Sequence, residues 1–213
     1  MNYIGMPLAI WVLFSKSFQV QLTKEFAYDA ATAKKVTEKA KAKYRHLIRE
    51  LPAFEQADPF KMNLVSCAML GAYVLAMPER PNADRLADYY ARAMLTPVLR
   101  WFCRRRGKNI FTPQAIERMK TASALKAADR NPFSWNLDFY GYPDGSGYEV
   151  RFSKCGICTL MQKLGLYDLT PALCRLDYTM SDAGGATDFK RNCTLASGGP
   201  YCDCGYKRRT GKG

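Results

Sequence analysis

Six of the eight cysteines fall between positions 155 and 204, in a stretch that also carries Asp177 and Asp203. Thiols and carboxylates at that density supply three kinds of chemistry: nucleophilic attack, proton transfer with water, and metal ligation. Cys155 stands where an alternating run gives way to a helical one, with Lys154 beside it. At a helix N-terminus the unpaired N–H groups and the dipole favour a thiolate, which makes Cys155 a candidate nucleophile. In an apolar setting the same thiol is only a small packing residue. Cys174 and Asp177 are three apart on a helical run and share a face. Cys202 and Cys204 share one face of a strand, with Asp203 on the other.

Two exclusions narrow the choice. The single histidine, His46, lies in a basic helical run and reads as exposed, so histidine-based serine or cysteine catalysis and histidine zinc hydrolases lose their key residue. Neither a GxGxxG between strand and helix nor a GxxxxGK[ST] occurs, which removes the common nucleotide-binding folds. Zinc has a four-thiol option in Cys155, Cys158, Cys202 and Cys204, a C-x2-C…C-x-C set. A C-x-C pair on a strand splays its sulfurs unfavourably, so the main reading carries no metal and no cofactor.

The elements that must position these groups follow from periodicity. Residues 30–51 carry good helix formers with Val36, Tyr44, Leu47, Ile48 and Leu51 as the apolar positions, ending before Pro52. Residues 60–77, FKMNLVSCAMLGAYVLAM, read as a buried core helix; Lys61, Asn63 and flanking prolines argue against a membrane span. Asn82 caps a helix expected to reach 106 with a kink at Pro97, and Thr112-Pro113 opens another to about 128. The apolar start, residues 1–16, is shorter than the ~20 residues a span needs and lacks the features of a secretory signal; it reads as an amphipathic helix on the core.

From residue 134 the period changes to two. SWNLDFYGY (134–142) and YEVRFSK (148–154) alternate about the turn PDGSG (143–147). Helices follow at 155–164, ended by Gly165, and at 170–183, opened by Thr170-Pro171. A second hairpin pairs 189–196 with 201–208 across SGGP (197–200). The expected fold is α+β: a helical N-terminal half (1–130) packed on the core, then a hairpin/helix/helix/hairpin unit (131–209) whose four strands form one antiparallel sheet, with a flexible tail at 210–213.

At this point the back half resembles a known family. Cys155, the helix end Leu164-Gly165, Cys174-x-x-Asp177, and Arg191-x-x-Thr194-Leu195-Ala196-x-Gly198-Gly199-x-x-Cys202-Asp203 match the pattern of the L-2-amino-thiazoline-4-carboxylic acid hydrolase family over residues 148–208. The resemblance implies hydrolysis of a cyclic isothiourea, with water adding at the ring carbon between sulfur and nitrogen and the ring opening to N-carbamoyl-L-cysteine. It places Cys155, Cys174, Asp177, Cys202 and Asp203 in the catalytic pocket and Thr194 on a matching position, as a substrate-binding candidate with Arg175 and Arg191. Cys158, Cys193 and Cys204 depart from the pattern, and Cys204, where the family has phenylalanine, is expected outside the pocket.

The chemistry suits the residues. A protonated amidine is a flat cation that a buried carboxylate, Asp177 or Asp203, can hold and keep electrophilic. Cys155 or Cys174 is then the nucleophile, or an aspartate the base for water. Arg175 and Arg191 are candidates for the substrate carboxylate, alongside Arg151. The expected protein is a cytoplasmic hydrolase of a carbon–nitrogen, non-peptide bond type in cyclic amidines, with a small-molecule carboxylate substrate, no nucleic-acid and no membrane partner, and a homo-oligomer left open. A non-catalytic small-molecule- or zinc-binding sensor or scaffold is the alternative. The net charge of +13 motivates a nucleic-acid binder, but no finger spacing or RNA-binding motif accompanies it.

Overall fold

The first helix owes its place to aromatic packing. In the computed structural model, which describes residues 6–54 and 58–210, α1 (Pro7–Glu25) buries Ile10, Trp11, Phe14, Phe18 and Leu22, one helical stripe. Trp11 stacks on Tyr73 at 5.7 Å between centroids, and Phe18 meets the same ring at 4.9 Å. Three tyrosines find their hydroxyl partners on α1 carbonyls: Tyr44 on Pro7, Tyr73 on Ser15 and Tyr89 on Phe18. A buried phenol needs such an acceptor, so the tyrosines fix both the contact and the helix register.

The chain divides into two compact units, one of residues 1–96 and 156–173 and the other of 97–155 and 174–213. The first is all helix: α1, α2 (Ala30–Glu50), α3 (Lys61–Val74), α4 (Ala83–Met94) and α7 (Gly156–Lys163). Asp29 and Asn82 cap α2 and α4 by accepting from the N–H groups of Thr32 and Arg85. The core helix expected at 60–77 is α3, ten of whose residues are buried. Gly71 lets α7 approach, since a Cβ there would lie 2.7 Å from Leu164 Cδ1. Gly165, at φ +68°, stops the chain after α7 in the left-handed region.

The second unit holds α5 (Pro97–Asn109), α6 (Pro113–Lys126), α9 (Leu176–Gly184) and the sheet. Its strands are β1 (Asn136–Gly141), β2 (Gly147–Lys154), β3 (Thr187–Lys190) and β4 (Cys202–Arg208). All pairs are antiparallel in the order β1-β2-β4-β3, the α+β architecture and four-stranded sheet expected. Leu137, Tyr148, Val150, Phe189, Cys202, Cys204 and Tyr206 turn to the helix-covered face. A ring contact series Phe111–Tyr148–Tyr206–Phe189–Tyr178 runs through that layer at 4.8 to 5.9 Å.

Three local expectations are corrected. The helix expected over 82–106 is two helices, because Pro97 disfavours helical backbone at Thr96 and instead opens α5. The helix expected over 170–183 breaks at Arg175 into α8 (Thr170–Cys174) and α9. The strand expected over 189–196 starts earlier and ends at Lys190, and Leu195–Ser197 is a 3₁₀ turn. Of the tail expected at 210–213, residues 211–213 lie outside the described residues, as do residues 1–5 of the first helical run.

A polar knot leads into the sheet. Lys126, 7% exposed, donates to Asp129 Oδ2 at 2.6 Å and to Ser134 Oγ at 2.7 Å, and Ser134 donates to the same carboxylate. Burial raises the Asp129 carboxyl, but the bonds from Lys126, Ser134 and the Asn131 N–H outweigh it and hold it at about 2. Its stabilisation is therefore complete above the usual carboxylate value of 3.8 and lost as pH falls through about 2. Asp129→Asn is expected to lower unfolding free energy at neutral pH by roughly 1–2 kcal/mol, a value discounted for partial solvent screening. Urea melts of both proteins should converge as the pH is taken below that window.

Candidate functional site

The site expected from the sequence lies on the second unit, and one buried cation organises it. Arg191, just past β3, has a side chain only 6% exposed. Its Nη1 donates to Asp177 Oδ2 at 2.7 Å and its Nη2 to the Cys174 carbonyl at 2.6 Å. That carbonyl sits at the break between α8 and α9, so the break supplies the acceptor that a continuous helix would have used internally. The guanidinium carbon stands 5.4 Å from the ring centres of both Tyr178 and Phe189. Burial alone would lower the guanidinium's affinity for its proton, but the Asp177 carboxylate beside it raises it, so Arg191 stays charged.

Thiols surround this pair. Cys204 follows Cys202 on the inward face of β4; both pack with Phe189, Phe152, Leu195 and Tyr206, and the guanidinium reaches the Cys204 thiol. Cys204, expected outside the pocket, thus belongs to the group; the alternation of β4 already put it on the Cys202 side. Burial pushes the Cys174 thiol up to about 12, against the pull of Arg191, with Cys155, Asp177 and Cys202 adding to the rise. Burial likewise lifts Cys202 to about 11, opposed by the Leu195 N–H that its sulfur accepts at 3.2 Å. Cys204 is pushed up for the same reason. These three are neutral thiols at physiological pH. Asp177 is raised above the usual carboxylate value, burial being the largest cause and Arg191 opposing it.

Asp203 faces the other way. It accepts from the Asn192 N–H at 3.0 Å on both oxygens, from Asn192 Nδ2 at 2.9 Å and from the Cys193 N–H at 2.7 Å. Burial tends to raise it, but those N–H donors bring it below the usual value. Thr194 Oγ1 accepts from the Ser197 N–H and donates to Ser197 Oγ, both at 3.0 Å. These bonds explain the shortened β3: the backbone donors of 192, 193, 195 and 197 go to side chains instead of a strand partner. Gly198 adopts φ +80°, and a Cβ on Gly199 would lie 2.9 Å from the Thr194 carbonyl. Asp203, Thr194 and the glycine pair therefore shape the loop that carries Arg191.

The remaining candidates are placed as follows. Cys155 directly precedes α7, and its proximity adds to the rise of the Cys174 and Cys202 thiols. Lys154, its sequence neighbour, spends its ammonium on the carbonyls of Asp129 and Asn131. Arg175 is exposed at the helix break. Arg151 lies between the rings of Tyr140 and Tyr201 and pairs with Glu149. His46 is exposed and pairs with Glu50 at 2.8 Å. A cleft of about 470 Å³ opens on the opposite face of the sheet, among Tyr142, Asp188, Lys190 and Lys207, away from the thiols. Among the described residues no group of three or more His, Cys, Asp or Glu side chains is arranged to hold a metal ion, the four-thiol zinc set included. No helix among the described residues is long and apolar enough to cross a membrane. Tyr178 and Phe189, the rings on Arg191, are not distinguished in the sequence, because aromatics in an apolar pattern read as core.

Two measurements check this geometry. Cys174 and Cys202 in the folded protein should resist iodoacetamide at pH 7 to 8, with labelling by mass spectrometry rising only toward the values near 12 and 11 that burial imposes. Labelling of either at the rate of a free thiol would contradict the described burial. Asp203→Ala strands the loop donors and should cost roughly 3 kcal/mol in a denaturant melt.

Compared with known proteins, residues 62–206 match the family model of L-2-amino-thiazoline-4-carboxylic acid hydrolase, a family named for hydrolase action. No curated protein and no solved structure matches the chain.

Proposed function

The chain belongs to the L-2-amino-thiazoline-4-carboxylic acid hydrolase family, and from that premise we propose that it opens a small cyclic amidine of the aminothiazoline-carboxylate class. The observation that carries the reading is Asp177. Its Oδ2 is anchored by Arg191, yet its side chain remains 46% exposed, so a fixed carboxylate is open to a small ligand.

A protonated aminothiazoline presents N–H donors around an electron-poor carbon. Asp177 accepts from the cation and takes a proton from water as the oxygen adds to the ring carbon between sulfur and nitrogen. The carbon–sulfur bond then breaks and the carbonyl forms. The hydroxyl proton passes to the departing sulfur, and Asp177 returns its own proton to solvent. Because the leaving group is a thiolate, it needs little acid assistance. The buried thiols enter as neutral S–H groups beside the ring, which speaks against a resting thiolate at Cys174 or Cys202. Arg191 holds Asp177 in place through Nη1 while its Nη2 donates to the Cys174 carbonyl. Arg175, exposed two residues before Asp177, is the cation for the substrate carboxylate.

The test is release of free thiol from L-2-amino-thiazoline-4-carboxylate by the purified chain. Asp177→Asn should lower kcat/KM by at least about 100-fold, the usual loss of a general base. The raised Asp177 carboxyl places the acid limb of the wild-type pH profile above the usual 3.8, with activity present on the alkaline side and lost as pH falls through that limb. The absence of thiol release from the wild type sinks the assignment for this substrate. Saturable binding of the ring without release would mark a ligand-binding domain instead.

A further inference from the structure

The basic run at 104–108 has no part in the hydrolase reading, and its setting on α5 gives it another. Helix α5 packs on α9 through one stripe: Cys103 is 3% exposed, and Gly107 abuts α9 so closely that a Cβ there would lie 2.6 Å from the Gly184 carbonyl. At 100° per residue, the opposite side of the helix carries Val98, Trp101, Phe102 and Arg105. Those apolar side chains are exposed: Val98 50%, Trp101 60% and Phe102 48%. Arg104, Arg105 and Lys108 are exposed beside them, and α5 contains no Asp or Glu. Arg105 lies over the Trp101 ring at 5.6 Å. Arg106 is different, because its charge acts on Asp177 and Tyr206.

Exposed tryptophan, phenylalanine and valine ringed by cations make a short amphipathic helix of the interfacial type. We infer that α5 docks on an anionic lipid bilayer surface, with Val98, Trp101 and Phe102 entering the headgroup–acyl boundary while Arg104, Arg105 and Lys108 meet lipid phosphates. The charge decides the occupant. A second copy of this chain would bring an identical cationic, carboxylate-free face against the first, an arrangement that repels. A nucleic acid would satisfy the arginines but leave Val98 and Phe102 without a desolvated partner. An anionic bilayer satisfies both sets. The sequence alone gives no membrane partner, and this face argues the contrary for peripheral contact.

Trp101 is its own reporter, because the other two tryptophans, Trp11 and Trp135, are 7% and 4% exposed. The full chain is mixed with vesicles of phosphatidylcholine alone or with one-third phosphatidylglycerol, at about 0.1 M salt so that long-range attraction is screened. The expected result is co-sedimentation with the anionic vesicles and a blue shift of tryptophan emission. W101F should abolish the shift and keep the binding. R104Q/R105Q should weaken binding roughly thirtyfold, since each cation near such a surface contributes about a factor of five. W101A/F102A should weaken it at least tenfold, roughly, through lost apolar insertion; should that pair disturb the circular dichroism, the arginine pair decides alone. Failure to bind anionic vesicles, or binding indifferent to R104Q/R105Q, overturns the inference. Salt-sensitive binding to duplex DNA with no vesicle-induced shift overturns it in favour of nucleic acid.

Discussion

The second unit depends on keeping one guanidinium charged where water scarcely reaches it. Taking a cation out of water costs several kcal/mol even after relaxation, so Arg191 requires compensation on every side. The Asp177 carboxylate, the Cys174 carbonyl and the faces of Tyr178 and Phe189 provide it. Three elements must be correctly placed at once for this: the break between α8 and α9, the first turn of α9 and the end of β3. Such a pair is weak evidence of net stability, because apolar residues of similar volume often do as well. Removing one partner alone is another matter, since it leaves a buried charge uncompensated at a cost of about 3–5 kcal/mol. A pair kept under those terms, with its carboxylate half open to solvent, is better explained by what the carboxylate meets than by the stability it adds.

The signature around residues 191–203 then acquires a mechanical meaning. Asp203 gathers the N–H groups of Asn192 and Cys193, Thr194 caps the 3₁₀ turn, and the glycine pair lets the chain fold back against Thr194. The loop delivers Arg191 at one end and returns as β4 with Cys202 and Cys204 facing inward at the other. The backbone of β4 alternates, so the aspartate that holds the loop and the cysteines that line the site must point to opposite faces of the sheet. In that sense Asp203 acts through Arg191.

How much of this was legible in the sequence differs by scale. The α+β class and the two hairpins followed from a change of period at residue 134, a signal carried by many residues at once. Caps at Asn82 and Thr112 were equally plain, since a short polar side chain before a helical run has one obvious use. The misread boundaries at 95, 175 and 191 share a cause: each is decided by a long-range partner or a steric neighbour. Nothing local to 170–183 announces that Arg191 will take the Cys174 carbonyl. Nothing local to 189–196 announces that Asp203 will take its amides. The same holds for the interleaving of the two units, since chain order alone does not say that residues 156–173 cluster with the first 96. Among the site residues, the pairing of Cys174 with Asp177 and of Cys202 with Cys204 was readable from spacing, but the function of each was not. Spacing tells which side chains share a face and says nothing about which are desolvated.

Desolvation is also what sorts the candidate chemistries. A thiol becomes a nucleophile when its surroundings favour the anion, as cations, helix termini and water do. Around Cys174, Cys202 and Cys204 the dominant influence is burial, and Arg191, the cation that opposes it, is already committed to a carboxylate. The sulfur-rich composition that drew attention to this segment therefore points to a different actor. Among neutral thiols and an arginine already paired, the half-exposed carboxylate of Asp177 is the basic group that the proposed cationic ring would meet.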